Sequence, residues 1–235
     1  LDIRDVRNVE EPGINKGRPV ISAEKADEAL LEGECPTGAI SRGPFCIDLG
    51  KCAFCGLCAF HAPQKITFTK DYKLSVNRRE DLLIHEGMDQ RLKVEKSLIR
   101  PEVLKLFGGS LKLRQVSAAG DNSAEWELNA ANNVQFDMSR FGIEFVASPR
   151  HADGLVITGP ISENMAEPLN ICYQDTPDPK VIVLCGTDAI SGGIFAGSPA
   201  LNRTFLDSHH VDLFIAGNPP HPLTVINGLL ELCGR

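Results

Sequence analysis

Aromatic side chains are scarce, at 6% of 235 residues with one Trp and two Tyr, too few for the stacking platforms on which proteins hold single-stranded nucleic acid. Positive charge is short as well. Lys and Arg number 24 against 31 Asp and Glu, a formal charge of −7, which is the wrong sign for gripping a phosphate backbone. Nucleic acid is therefore not expected as a partner. No apolar run approaches the roughly 18 residues of a membrane-spanning helix. The N-terminus, LDIRDVRNVEEPG, has no hydrophobic signal core. The chain reads as soluble and unexported, an expectation conditional on nothing having been trimmed ahead of Leu1. What is present, 43% hydrophobic and 23% charged residues, is ordinary globular composition, and the length allows one large domain or two small ones.

Eight cysteines stand at 35, 46, 52, 55, 58, 172, 185 and 233. In a reducing compartment such a chain has little use for disulfides, so the cluster of five between 35 and 58 reads first as metal ligation. Cys52-Ala-Phe-Cys55-Gly-Leu-Cys58 is C-x2-C-x2-C, the run that wraps three thiolates round one iron–sulfur cube. In bacterial-type ferredoxins the fourth Cys follows four residues on, before a Pro, and serves the other of two clusters. Here that slot is Ala62 before Pro63, while a Cys-Pro stands upstream as Cys35-Pro36. The same spacing run backwards from Cys35 falls on Lys25, Glu28 and Leu31. One complete set is left, Cys35, Cys52, Cys55 and Cys58, and the other is lost whole, which predicts one 4Fe-4S cluster and leaves Cys46 spare. Structural zinc is the plainer alternative, though zinc usually pairs two C-x2-C knuckles. Cys46, Cys172, Cys185 and Cys233 have no partner at ligand spacing and read as buried or free thiols.

The chain divides in character. Residues 1–90 read as a small ferredoxin-like α+β domain, 91–109 as a linker helix broken at Pro101, and 110–235 as a parallel-sheet domain with helices on both faces. Ser22 to Gly33 predicts a short helix with a Ser cap and a Gly stop. Apolar runs at 142–147, 154–159, 181–186 and 211–217, three of them ending in Gly, predict strands buried on both faces, with a helix starting near 219–222.

From Phe107 on, the segments FGGSLKLRQVSAAG, EWELNA, DMSRFGIEFVASPRHADGLVITGPI, PDPKVIVLCGTDAISGGIF and VDLFIAGNPPHP resemble the small, cluster-bearing subunit of group 4 energy-converting hydrogenases and the 20 kDa subunit of respiratory complex I. The first part resembles the ferredoxin-type subunit of the same complexes. The resemblance implies a flavodoxin-like second domain. It also implies a place in a membrane-associated oxidoreductase complex, peripheral on the inner face of the cell membrane, beside a hydrogenase-like large subunit, membrane subunits and a ferredoxin-type redox partner. In that family four cysteines of the second domain hold a proximal 4Fe-4S cluster. Carried onto this chain those positions are Asp121, Ala124, Asp188 and Asn218, so the resemblance implies that this cluster is absent.

What replaces it is open at the level of sequence. Two carboxylates and an amide suit a hard cation; the plainer alternative is solvated loop residues filling vacated space. Glu125 and Glu127 keep the family's E-x-E, which implies a place near the large-subunit interface, against the plainer reading of carboxylates at a helix N-terminus. Ser191-Gly192-Gly193 lacks the frame and Lys of a phosphate loop. His151 and the pair His209-His210 carry no recognisable catalytic arrangement. The sequence therefore predicts an electron-transfer and scaffold subunit, with a structural or assembly subunit, its cluster only stapling the fold, as the alternative.

Overall fold

A computed structural model of the chain describes residues 5–9 and 15–235. The first half, among the described residues, contributes β1 (Pro19–Ile21), α1 (Glu28–Gly33), β2 (Ile40–Arg42), β3 (Phe45–Asp48), α2 (Leu57–His61), β4 (Ile66–Phe68), β5 (Ser75–Val76) and β6 (Leu83–His85). Then come α3 (Pro101–Phe107), β7 (Leu111–Ser117), α4 (Ser123–Ala131), β8 (Ile143–Phe145), β9 (Gly154–Thr158) and α5 (Glu163–Asp175). The chain closes with β10 (Val181–Cys185), α6 (Thr187–Ser191), α7 (Thr204–Ser208), β11 (Leu213–Ile215) and α8 (Pro222–Leu232).

The main sheet runs β5-β11-β10-β9-β7-β8. β8, β7, β9, β10 and β11 are parallel, and β5 closes the edge antiparallel, with Ser75 opposite Ile215 and Val76 opposite Phe214. Every residue of β9 and β10 is buried, which explains why these strands read as unbroken apolar runs rather than alternation. Along β9 and β10, Leu155, Ile157, Ile182 and Leu184 turn to one face, and Val156, Val181 and Val183 to the other. The second face is covered by α8, whose Leu223, Ile226, Leu229 and Leu230 are buried against it. This is the mixed α/β fold, built on a mostly parallel sheet, that the sequence predicted.

The first face is continuous with the interior of the N-terminal half: Ile47, Leu49, Leu82 and Ile84 belong to the same apolar cluster as Leu155 and Leu184. That half adds two small antiparallel sheets, β1-β4 and β2-β3-β6. With β5 also donated to the main sheet, the two halves share both a sheet and a core.

Three local expectations are revised. The helix predicted from Ser22 begins only at Glu28. Asp27 caps it by accepting the Leu30 N–H at 3.0 Å, while the Ser22 hydroxyl donates to the Gln64 carbonyl at 2.7 Å. The pattern over 91–107 resolves into a 3-10 turn at Lys96–Leu98 and a helix that starts, rather than breaks, at Pro101, where the missing N–H costs nothing. β7 was not among the predicted strands and lies inside the sheet between β8 and β9.

Candidate metal centre

Cys35 follows directly on α1, whose C-cap is Glu34. Cys52 leaves the turn after β3, and Cys58 sits in the opening turn of α2. Between them the backbone turns through two left-handed residues, Phe54 at φ 51° and Gly56 at φ 82°, which fold the C-x2-C-x2-C segment back on itself. All four sulfur residues, Cys35, Cys52, Cys55 and Cys58, line one cavity of about 420 Å³ counted to its open mouth. Leu31, Ile40, Ile47 and Phe68 supply apolar wall.

The donor set has the chemistry of a thiolate site. All eight cysteines are free. The Ala39 N–H donates to Cys35 Sγ at 3.2 Å and the Phe54 N–H to Cys52 Sγ at 3.3 Å, bonds that favour an ionised sulfur. Burial pushes the Cys52 thiol up to about 12, partly offset by the Phe54 N–H and reinforced by the neighbouring Cys58, Cys35 and Cys55. Cys58 is pushed up too, by burial first. Cys52 and Cys58 therefore resist ionising in this apolar cavity unless positive charge comes beside them, which is what a metal group supplies. No group of three or more His, Cys, Asp or Glu among the described residues is arranged to hold a single metal ion. Thiolates that each bind a different iron of a cluster stand further apart than sulfurs around one ion.

Cys46 does not line this cavity. It is buried on β3, with Sγ 3.1 Å from Ser41 Oγ. Of the positions assigned to a lost second cluster, Leu31 is cavity wall, Glu28 lies 3.3 Å from Lys65 Nζ, and Ala62 is buried.

A second, narrow cavity, of about 240 Å³ counted with the space open to solvent, lies where β7, β9, β10 and β11 end, and Asp121, Ala124, Asp188 and Asn218 all line it. The carboxyl ends of parallel strands are where open α/β sheets place ligands. Close backbone approach shapes the cavity: a Cβ on Gly159, at φ 78°, would stand 2.3 Å from Gly120 N. Asp121 accepts from the Ser123 hydroxyl at 2.6 Å and the Ser123 N–H at 2.9 Å, which hold its carboxyl below the usual range. Asp188 is pushed up, by burial first and then by Asp121 and Glu125.

Glu125 does not sit as a solvated helix-end carboxylate. It is 7% exposed, and its Oε1 accepts from the hydroxyls of Ser117 at 2.6 Å and Thr158 at 2.7 Å. Its Oε2 is buried without a hydrogen-bond partner among the described residues. Cys185 also lines this cavity, its thiol pushed up by burial, then by Glu125 and Glu127. The sequence carried no signal for that convergence.

Because its folded-state acidity is weakened, Asp188 binds its proton more tightly in the folded chain than in the unfolded one. Stability is then lost as pH rises from the ordinary carboxylate range through the raised value, and stays lost above it. Asp188→Asn is expected to raise Tm at about pH 7.5, with the gain shrinking as pH falls toward 5. Thermal melts of both proteins at the two pH values check it, and an equal gain at both contradicts it.

A hydrogen bond ties the wall of one cavity to the wall of the other. Thr187, the first residue of α6, places Oγ1 2.9 Å from the Cys52 carbonyl oxygen and 3.2 Å from that of Gly217. Gly50, two residues before Cys52, lies so near α6 that a Cβ there would stand 2.8 Å from Ile190 Cγ2.

The remaining sequence candidates are structural. The Ser191 hydroxyl donates to the Thr187 carbonyl at 3.1 Å and accepts the Gly193 N–H at 3.2 Å, ending a helix. His209 stacks on Phe205 with centroids 4.2 Å apart, His210 lies 4.0 Å from Asp212, and His151 is exposed in a 3-10 turn.

Residues 122–232 match the family described as NADH ubiquinone oxidoreductase, 20 Kd subunit. The chain is 33% identical over 141 residues to the probable membrane-bound hydrogenase subunit mbhJ of Pyrococcus furiosus, covering 60% of this chain and 83% of that one. It is 38% identical over 164 residues to an NADH-quinone oxidoreductase subunit of Heliobacterium modesticaldum, covering 68% and 91%. Against formate hydrogenlyase subunit 7 of Escherichia coli the identity is 33% over 150 residues, covering 63% and 59%.

Proposed function

The chain belongs to the family of the NADH ubiquinone oxidoreductase 20 kDa subunit, and from that premise we propose that it is an electron-transfer and scaffold subunit of a membrane-associated, hydrogenase-like or complex-I-like oxidoreductase. It carries one 4Fe-4S cluster on Cys35, Cys52, Cys55 and Cys58, and none in the second cavity. The observation that carries the reading is the convergence of these four cysteines on one apolar cavity. The second cavity supports it from the other side, since Asp121, Ala124, Asp188 and Asn218 line it without a ligating sulfur among them.

When bound, the cluster supplies one-electron storage. The chain's own residues do the rest. The Ala39 and Phe54 N–H groups hold negative charge on sulfur, Leu31 and Phe68 exclude water, and exposed Cys55 marks the side open to an electron donor. Thr187 ties the Cys52 carbonyl to the second half. There α4 turns Glu125 into the second cavity, leaves Glu127 half-buried and presents Trp126, 75% exposed, as the surface on which a large subunit docks. Attachment to the inner face of the membrane runs through partner subunits in this reading; among the described residues no helix is long and apolar enough to cross a membrane.

The alternative, a cluster that only staples an undersized domain, is disfavoured by the shared core: Ile47, Leu49, Leu82 and Ile84 are already buried with the main sheet. The test is iron and acid-labile sulfide per chain on anaerobically purified protein, with an EPR spectrum after dithionite reduction. About four irons and a reducible S = 1/2 signal are expected. About eight irons, zinc, or no metal would overturn the reading.

A further inference from the structure

Lys16 belongs to no motif, and its sequence neighbours give it no role. In the structure its stem crosses the turn that carries the cysteine ligands. A Cβ on Gly56 would stand 2.7 Å from Lys16 Cε and 3.5 Å from Nζ, so the missing side chain at Gly56, between Cys55 and Cys58, makes the slot in which the lysine lies. Lys16 is half-buried and shares a cavity wall with Phe54, Glu127, Asn218 and His221. Glu127 and His221 are the other titratable groups facing that cavity. No carboxylate among the described residues pairs with the Lys16 ammonium.

We propose that Lys16 is the charge that sets the reduction potential of the cluster site. The inference rests on the reading of the cysteine cavity given above. Reduction adds one negative charge behind the 52–58 turn. A half-buried ammonium against that turn stabilises the reduced form more than the oxidised one, because charges there are screened far less than in open water. Lys51 is the built-in comparison. It is covalently adjacent to Cys52 yet exposed, and its field is spent in solvent.

The experiment is a redox titration of the full chain, followed by EPR and visible absorption, for the wild type, Lys16→Met, Lys16→Glu and Lys51→Met. The midpoint potential is expected to fall for Lys16→Met and further for Lys16→Glu, with Lys51→Met close to wild type. Equal potentials for wild type and Lys16→Met, both with full iron content, overturn the inference alone; so does a shift in Lys51→Met as large as that in Lys16→Met. A wild-type chain without a reducible cluster instead overturns the reading of the site. Should Lys16→Met lower iron content, Lys16→Arg keeps charge and stem and must hold the wild-type potential; a shifted potential in that variant overturns the inference.

Discussion

Cys52→Ser is expected to abolish the cluster: iron and labile sulfide fall to background, visible absorption is lost, and the chain is destabilised by on the order of 4 kcal/mol. Cys52 is the deepest of the four sulfurs, 8% exposed, and a serine hydroxyl there is a poor ligand for iron. It would also be left polar in an apolar cavity, a further cost of about 1–3 kcal/mol when unpaired. Cys46→Ser is the matched control. It changes a cysteine that is equally buried, on the strand just before the ligand turn, but whose Sγ faces Ser41 Oγ rather than the cavity. Serine preserves that contact, so iron content is expected to hold and stability to move by no more than about 1 kcal/mol. Iron analysis, absorption and thermal melts separate the outcomes. Bleaching by Cys46→Ser would mean the ligand set is wrong.

Gly159→Ala is expected to have a large effect outside the cysteine turn, a loss of about 3 kcal/mol or more. Two costs combine. At φ 78° a side chain is strained by about 1–2 kcal/mol. The new Cβ would also meet the Gly120 backbone at 2.3 Å from N and 2.7 Å from Cα, overpacking worth about 1–3 kcal/mol. Neither contact is with a flexible side-chain tip, so relief requires the loops after β7 and β9 to part. Those loops are tied by the Ala118 N–H donating to the Thr158 carbonyl at 2.7 Å and the Ile161 N–H to the Ala118 carbonyl at 3.0 Å. Gly33→Ala offers the contrast. A Cβ there meets nothing within 4 Å, and a helical Gly→Ala exchange is neutral to stabilising by up to about 1 kcal/mol. Denaturant unfolding of both variants checks the pair, and a loss below about 1 kcal/mol for Gly159→Ala would refute the contact.

Much of the sheet was legible because β9 and β10 bury both faces, so that Leu155 and Val156 are equally apolar although they point to opposite cores. β7 escaped for the converse reason. Its Lys112 is exposed and its Arg114 and Gln115 are half-buried, which breaks the apolar run although the strand lies inside the sheet. β5 is two residues long and is a strand only through its pairing with β11, a long-range event no local pattern records. The spacing of the cysteines singled out Cys35, Cys52, Cys55 and Cys58, and the fold brings these four to one cavity. That Asp121, Ala124, Asp188 and Asn218 would surround one cavity came from family resemblance, since nothing in their own chemistry links them. Glu125 and Lys16 were opaque for a shared reason. What matters about each is a contact across the fold, with Thr158 in one case and Gly56 in the other.

The apolar interior that runs unbroken from Ile47 and Ile84 to Leu155 and Leu184 also bears on how such a protein is made and inherited. Severing the chain between the halves would leave each fragment with a raw hydrophobic wall and take β5 away from β11. The cysteine half is thus not an interchangeable cartridge. It folds and is degraded together with the sheet it leans on, and the two halves meet any partner at a fixed ratio of one to one.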